Sequence, residues 1–327
     1  MNKKIVIRLL TAVLLTTVPL AEAQQAKKVP RIGFIVPGFP STSQPNVDAF
    51  RQGLRELGYI EAQNIAVEYR YAEGSNDRLN DLAAELVRVQ VDVIVTGSTI
   101  AVGAAKKLTG TIPIVMAGLG DPIGTGLVAS LSRPGGNVTG LSSFGPELGT
   151  KRLELLKETL PRVSRVAILF NGANPSNVAS LKEIEIAAPV LGVQLQPLDA
   201  RGADDFEPAF DVANRRRANA LLVQRDPLNQ AHQTRIVALA TKSKLPVMYP
   251  GIEYVTVGGL MSYGVSTTDL YRRAATYVDK ILKGRKPADL PVEQPMKFEF
   301  IINLQAAKQI GLTIPPNVLV RADKVIR

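Results

Sequence analysis

The chain has 327 residues, 46% of them apolar, with a formal net charge of +10, one histidine and no cysteine. That length and apolar content suffice for two domains with their own cores, and the missing cysteines exclude disulfides, thiolate metal sites and a thiol nucleophile. The basic excess is spread along the chain, with Arg215-Arg216-Arg217 its densest cluster, so it reads as a solvated surface and not as a nucleic-acid face.

The first 23 residues have the three-part plan of a secretory signal. Lys3, Lys4 and Arg8 give a positive start, residues 9–20 are apolar apart from threonines and Pro19, and Ala21-Glu22-Ala23 is an A-x-A ending. The apolar stretch is well short of the roughly 20 residues of a spanning helix. Cleavage is expected near Ala23, and with no cysteine to carry a lipid the expected product is a free protein in a bacterial periplasm.

From residue 31 onward, strands alternate with amphipathic helices. Strands are predicted at 31–36, 65–71, 91–96, 112–117 and 138–141, and helices at 47–57, 79–89, 101–108 and 126–131. The pattern then restarts, with helices at 151–159, 178–191, 206–216 and 234–242 and strands at 165–170, 193–198, 220–223 and 245–249. A tail follows, with a helix at 270–282, a strand at 298–302 and a helix at 304–310; it is too short for a third domain and must pack back on the first two. Such alternation specifies parallel sheets covered by helices on both faces, here in two tandem units of similar length.

In open parallel sheets, ligands bind outside the carboxyl ends of the strands. Candidate site residues therefore follow each strand. Phe39 and Ser41 follow the first, and Ser98 and Thr99 open a helix whose free N–H groups suit a carboxylate or simply need a cap. Gly118, Leu119 and Asp121 come next: the glycine allows close backbone approach, and Asp121 holds a ligand amine or caps a helix at Pro122. Ser143 ends the first unit. In the second, Asn174, Ser176 and Asp226 are ligand groups or helix starts, Tyr249 and Tyr254 stack on a ligand or fill the core, and Glu253 is a second candidate for an amine.

Enzyme signatures are missing. No phosphate-binding G-x-x-x-x-G-K-[ST] occurs, Gly118, Gly120, Gly124 and Gly126 do not keep the dinucleotide spacing, and no G-x-S-x-G elbow is found. The single histidine, His232, reads as a surface residue in mid-helix, and without a second one a zinc site is not expected. No catalytic residue, metal or cofactor is expected.

The run GDPIGTGLVASLSRPGGNVTG at 120–140 closely resembles the signature of ABC-transporter substrate-binding proteins, the family that includes the tryptophan-binding TrpX proteins. FRQGLRELGY at 50–59, DLYRRAA at 269–275, ILKG at 281–284 and Asn303-Leu304 with Ala306-Ala307 resemble further family segments, so the likeness spans nearly the whole mature chain. It implies a type I periplasmic-binding-protein fold: α/β, two Rossmann-like lobes with parallel sheets, and a hinge of three crossings around a ligand cleft. Lobe one would comprise 30–142 plus 265–290 and lobe two 143–264 plus 291–327, with Ser142-Ser143-Phe144 as the first hinge strand.

The expected function is that of the periplasmic solute-binding component of an ABC import system, which closes on a small molecule and hands it to an inner-membrane ABC permease. The expected ligand is an amino acid or related small carboxylate, its amine at Glu253 or Asp226 and its carboxylate at Ser98-Thr99. A monomer without nucleic-acid partners is expected. The alternatives are a ligand-presenting receptor for a membrane sensor kinase and an exported enzyme on the same scaffold.

Overall fold

The computed structural model describes residues 29–143 and 146–327; the export segment and Phe144 lie outside the described residues. The first unit runs β1 (Arg31–Val36), α1 (Pro40–Glu56), β2 (Ala66–Tyr71), α2 (Asn76–Arg88), β3 (Val93–Thr96), α3 (Thr99–Leu108), β4 (Ile114–Leu119) and β5 (Val138–Ser142). The second runs α4 (Pro146–Thr159), β6 (Arg165–Phe170), α5 (Pro175–Ala187), β7 (Gln194–Asp199), α6 (Phe206–Arg215), β8 (Ala220–Val223), α7 (Pro227–Ala231), α8 (Gln233–Lys242), β9 (Val247–Tyr249), α9 (Ile252–Thr256) and β10 (Met261–Gly264). The tail holds α10 (Thr267–Leu282), β11 (Glu299–Asn303), α11 (Leu304–Gln309), α12 (Pro316–Leu319) and β12 (Lys324–Ile326).

Two sheets result, ordered β2-β1-β3-β4-β5 and β12-β11-β10-β9-β8-β6-β7. Within the second, β7-β6-β8-β9-β10 repeats the order of the first, so each lobe is a doubly wound unit with its switch point beside its first strand. The parallel expectation has one exception, because β11 runs antiparallel to β10. The reason is topological. The chain leaves lobe two at the end of β10 and returns through the same hinge region, so β11 starts where β10 stops.

Three passages join the lobes. The first follows β5; the second leads from β10 into α10, which packs on α1, β4 and β5. The third follows Glu293, whose N–H donates to Gly140 O at 3.0 Å, while Ser142 N donates to Glu293 O at 2.9 Å. At Glu293 the chain thus still runs alongside β5.

The period-two alternation of the strands decides which core each side chain enters. Ile32, Phe34 and Val36 pack on one face of the first sheet with Val93, Val95, Phe50 and Leu54. Ile35, Ile94, Ile114 and Met116 pack on the other with Leu79, Leu86 and Val102. In the second sheet Val166 and Ile168 face α4, α5 and the tail, whereas Ala167 and Leu169 face α6 and α8.

Two local readings change. The first helix starts at Pro40, seven residues earlier than expected, and contains Pro45. Pro40 sits in the first turn, where its missing N–H has no partner to lose, and Pro45 gives up only the ladder bond to Ser41. The helix expected at 126–131 does not form, and turns take its place. Gly126 is left-handed at φ 70°, Leu127 and Val128 are drawn into the first lobe's core, and Lys106 Nζ donates to Gly126 O at 2.7 Å. The short strands β10 and β12 and the helix α9 gave no periodic signal long enough to read.

Gly140 has φ 129°, and a Cβ there would stand 2.6 Å from Met116 N. Gly140→Ala is therefore expected to lower unfolding free energy by about 2 kcal/mol or more. Gly136→Ala, in open space, should change it by less than about 0.5 kcal/mol. Urea denaturation midpoints of the two variants check this; equal midpoints would refute it.

Candidate functional site

The carboxyl ends of the two sheets face each other. Between them lie two small adjoining cavities, which share Gly97, Arg225 and Pro227 in their walls. The first is lined by Phe34, Val36, Val47 and Tyr271 from lobe one, together with Asn46, Asp226 and Gln230. The second is polar, lined by Thr99 and Gly118–Gly120 from lobe one and by Ser143, Arg152, Asn174, Ser176 and Gln224.

The lobes are closed on each other through polar contacts. Thr99 Oγ1 and Ser176 Oγ lie 3.1 Å apart, and Ser176 Oγ donates to Gly120 O at 3.0 Å. Arg225 Nη1 donates to Thr267 Oγ1 on α10 at 3.2 Å. Helix starts hold these groups in place. Asn174 caps α5 by accepting from Ser176 N at 3.0 Å, and Asp226 caps α7 by accepting from Leu228 N at 2.8 Å. Asp226 also accepts from Asn174 Nδ2 at 2.7 Å and Asn171 Nδ2 at 3.2 Å. Burial pushes its carboxyl above the ordinary range, and these hydrogen bonds pull it back.

Arg152 is the unusual group. It is 4% exposed, and its Nε donates to Tyr263 O at 2.7 Å. Desolvation, and next the nearby Arg225, push its guanidinium down to about 9. Nearby, Gln224 is 2% exposed, and neither Nε2 nor Oε1 has a hydrogen-bond partner; Ser143 Oγ has none either. Burial also raises the Tyr271 hydroxyl to about 12.

Of the residues singled out in the sequence, Thr99, Gly118, Leu119, Ser143, Asn174, Ser176 and Asp226 stand on the cavity walls. The others stand elsewhere. Ser98 is buried behind Thr99 as the cap of α3, accepting from Ala101 N at 3.3 Å. Asp121 accepts from Gly124 N at 2.8 Å inside a turn, not at a helix start. Ser41 is exposed on α1, and Ser43 and Asn46 line the cavity in its place. Tyr249 is core, stacked on Tyr254 at 4.9 Å. Glu253 lies on α9 outside both cavities, its carboxylate folded back over Gly251.

His232 is not a surface residue in mid-helix. It forms the break between α7 and α8 and is half-buried where the lobes meet. Its ring packs edge-on against Phe39 of lobe one at 5.5 Å and against Phe206 of lobe two at 5.6 Å. Desolvation, then Arg235, lower its pKa from the ordinary value. Sequence reasoning passed over Arg152, although its spacing from Leu155 and Leu156 puts it on the buried face of the helix predicted at 151–159. A cation on an apolar stripe is a readable signal.

Among the described residues, no group of histidine and carboxylate side chains could hold a metal ion, and no helix is long and apolar enough to cross a membrane. Residues 40–326 match the family model of ABC transporter substrate binding proteins. A tyrosine-binding protein of Clostridioides difficile strain R20291 is 25% identical over 272 residues, 82% of this chain and 78% of the relative. A crystal structure of a conserved domain protein from Vibrio cholerae superposes with a TM-score of 0.85 at 29% identity, over 91% of this chain and 100% of the other. An ABC domain from Streptococcus pneumonia in complex with L-Trp does so with a TM-score of 0.84 at 28% identity, over 91% and 99%. The chain has the type I periplasmic-binding-protein fold and belongs to the family of ABC transporter substrate-binding proteins.

Proposed function

We propose that this substrate-binding protein works as a monomer in the periplasm, where it encloses an amino acid, or a closely related small carboxylate, and delivers it to an inner-membrane ABC permease. The observation that carries this reading is the division of the cleft. One compartment sets an aromatic and aliphatic wall of Phe34, Val36, Val47 and Tyr271 against Asn46, Asp226 and Gln230; the other is polar throughout, with the buried groups Arg152, Gln224 and Ser143. A solute with an apolar side chain and a charged head suits such a cleft. The tyrosine-binding relative and the L-Trp complex favour the same ligand class. The proposed lobes are 30–142 with 265–290 and 143–264 with 291–327, and the ligand would meet Thr99, Gly118, Leu119, Ser143, Asn174, Ser176 and Asp226.

Delivery rests on closure. Ligand binds between separated lobes and favours the closed form, which presents a surface joined from both lobes to the permease. Thermal unfolding against the free amino acids tests the ligand class. A ligand at 100 times its Kd adds about 2.7 kcal/mol, which raises Tm by several degrees. A flat response to every amino and carboxylic acid would sink the proposal.

Closure also places His232 between Phe39 and Phe206, with Arg235 beside it in an ion pair with Glu207. Its pKa in this arrangement is lowered, so its contribution to closure is full above the ordinary histidine value of about 6.5 and is lost as pH falls through the lowered pKa. Ligand affinity of the unaltered protein is expected to weaken between pH 7 and pH 5. His232→Phe keeps the ring packing and should flatten that slope. Titration calorimetry at several pH values decides it; parallel slopes for the two proteins would refute the role.

A further inference from the structure

We propose that Arg152, Arg225 and Gln224 form the subsite that reads the charged head of the bound solute, the two guanidinium groups taking its carboxylate and the Gln224 carboxamide bridging carboxylate and ammonium. This rests on the reading of the cleft as an amino-acid site and names the groups that make it one.

Arg152 and Arg225 line the same cavity, and neither is in an ion pair among the described residues. Arg152 spends its hydrogen bonds on the carbonyl oxygens of Tyr263 at 2.7 Å and Pro250 at 3.4 Å, and Arg225 on the Thr267 hydroxyl. Neither nearby carboxylate forms an ion pair with these arginines. Asp226 is held by Asn171, Asn174 and the Leu228 N–H, and Glu253 lies folded over Gly251. Glu253 acts on Arg152 only through space and forms no ion pair with it, so two cations on one wall leave an anion from outside the chain a place to bind.

Gln224 adds an independent observation. Its amide is buried in that wall with both polar atoms unpartnered, and buried polar groups in folded proteins are nearly always hydrogen-bonded. The carboxamide offers donors at Nε2 and an acceptor at Oε1. An α-amino acid supplies an acceptor and a donor on neighbouring atoms, which meets both needs at once. A simple amine leaves the arginines unmatched, and a simple acid leaves Oε1 unmatched. Ser143 Oγ, also unpartnered, stands on the same wall as a further donor.

Arg152 also ties down Tyr263 and Pro250, so its replacement would mix folding with binding. Gln224→Leu avoids this, because the Gln224 side-chain amide makes no hydrogen bond within the protein. Calorimetry with L-tyrosine, L-tryptophan and the remaining amino acids first identifies what the unaltered protein binds. For that amino acid, Gln224→Leu is expected to weaken binding tenfold or more while the ligand-free Tm stays equal or rises. The decarboxylated amine, tyramine or tryptamine for the aromatic cases, should bind at least a hundredfold more weakly than its parent. Unchanged affinity in Gln224→Leu, or an amine bound as tightly as the amino acid, would overturn the proposal. Failure of the unaltered protein to bind any amino or carboxylic acid would instead overturn the reading of the cleft itself, without reference to any variant.

Discussion

Everything in this molecule that concerns a ligand depends on the one-sidedness of a parallel sheet. All strands of a parallel sheet end at the same edge, so their polar loops and helix starts gather there. A single lobe leaves that edge open to water. Two lobes joined by three passages turn the edges toward each other, and Gly97, Gly118–Gly120 and Thr99 then face Asn174, Ser176 and Gln224. The passages sit beside β5 and β10, so the lobes can part or close without breaking either sheet.

The closed cleft leaves polar groups unmet. Shut, the cleft buries Gln224 and Ser143 with no partner for their polar atoms, and each unmet group costs roughly 1–3 kcal/mol. The cross-lobe bonds at Thr99, Ser176 and Thr267 are ordinary ones, each contributing about 1 kcal/mol net. A ligand that meets the unpartnered groups binds the closed form better than the open one, and only such differential binding moves the equilibrium. His232 adds a smaller bias that depends on its charge.

The alternation of elements was legible because period two and period 3.6 are written in side chains that the sheets and helices then bury. Ile32, Phe34 and Val36 against Ile35 is one instance; Phe50 and Leu54 on α1 is another. The reading went astray at the start of α1, which begins at Pro40 and runs through Pro45, and at 126–131, where a helix was expected and turns form. At the cleft, the rule about strand ends located Thr99, Gly118, Ser176 and Asp226 on the walls, since it depends only on topology. It could not separate a group that faces the cavity from a cap one residue away: Ser98 and Thr99 are neighbours with different fates. Nor could it find Arg152, which reaches the cavity from a helix face and not from a strand end.

The run that most plainly marks the family and the groups assigned here to the ligand head lie on different lobes. Residues 120–140 work mainly as scaffolding for lobe one. Asp121 closes a turn on Gly124 N, Asn137 Nδ2 ties down Thr109 O and Ile112 O, and Gly140 lets β5 lie against Met116. In that run Gly120 meets the facing lobe through its carbonyl oxygen and Ser176. Arg152, Gln224 and Arg225 belong to α4 and the end of β8, whose packing does not involve that run. A change at 152 or 224 therefore leaves the first sheet untouched while altering which charge the cleft accepts. The first lobe can stay constant as a closing surface while the second sets the solute, and so a family resemblance carried by 120–140 identifies a carrier without naming its cargo.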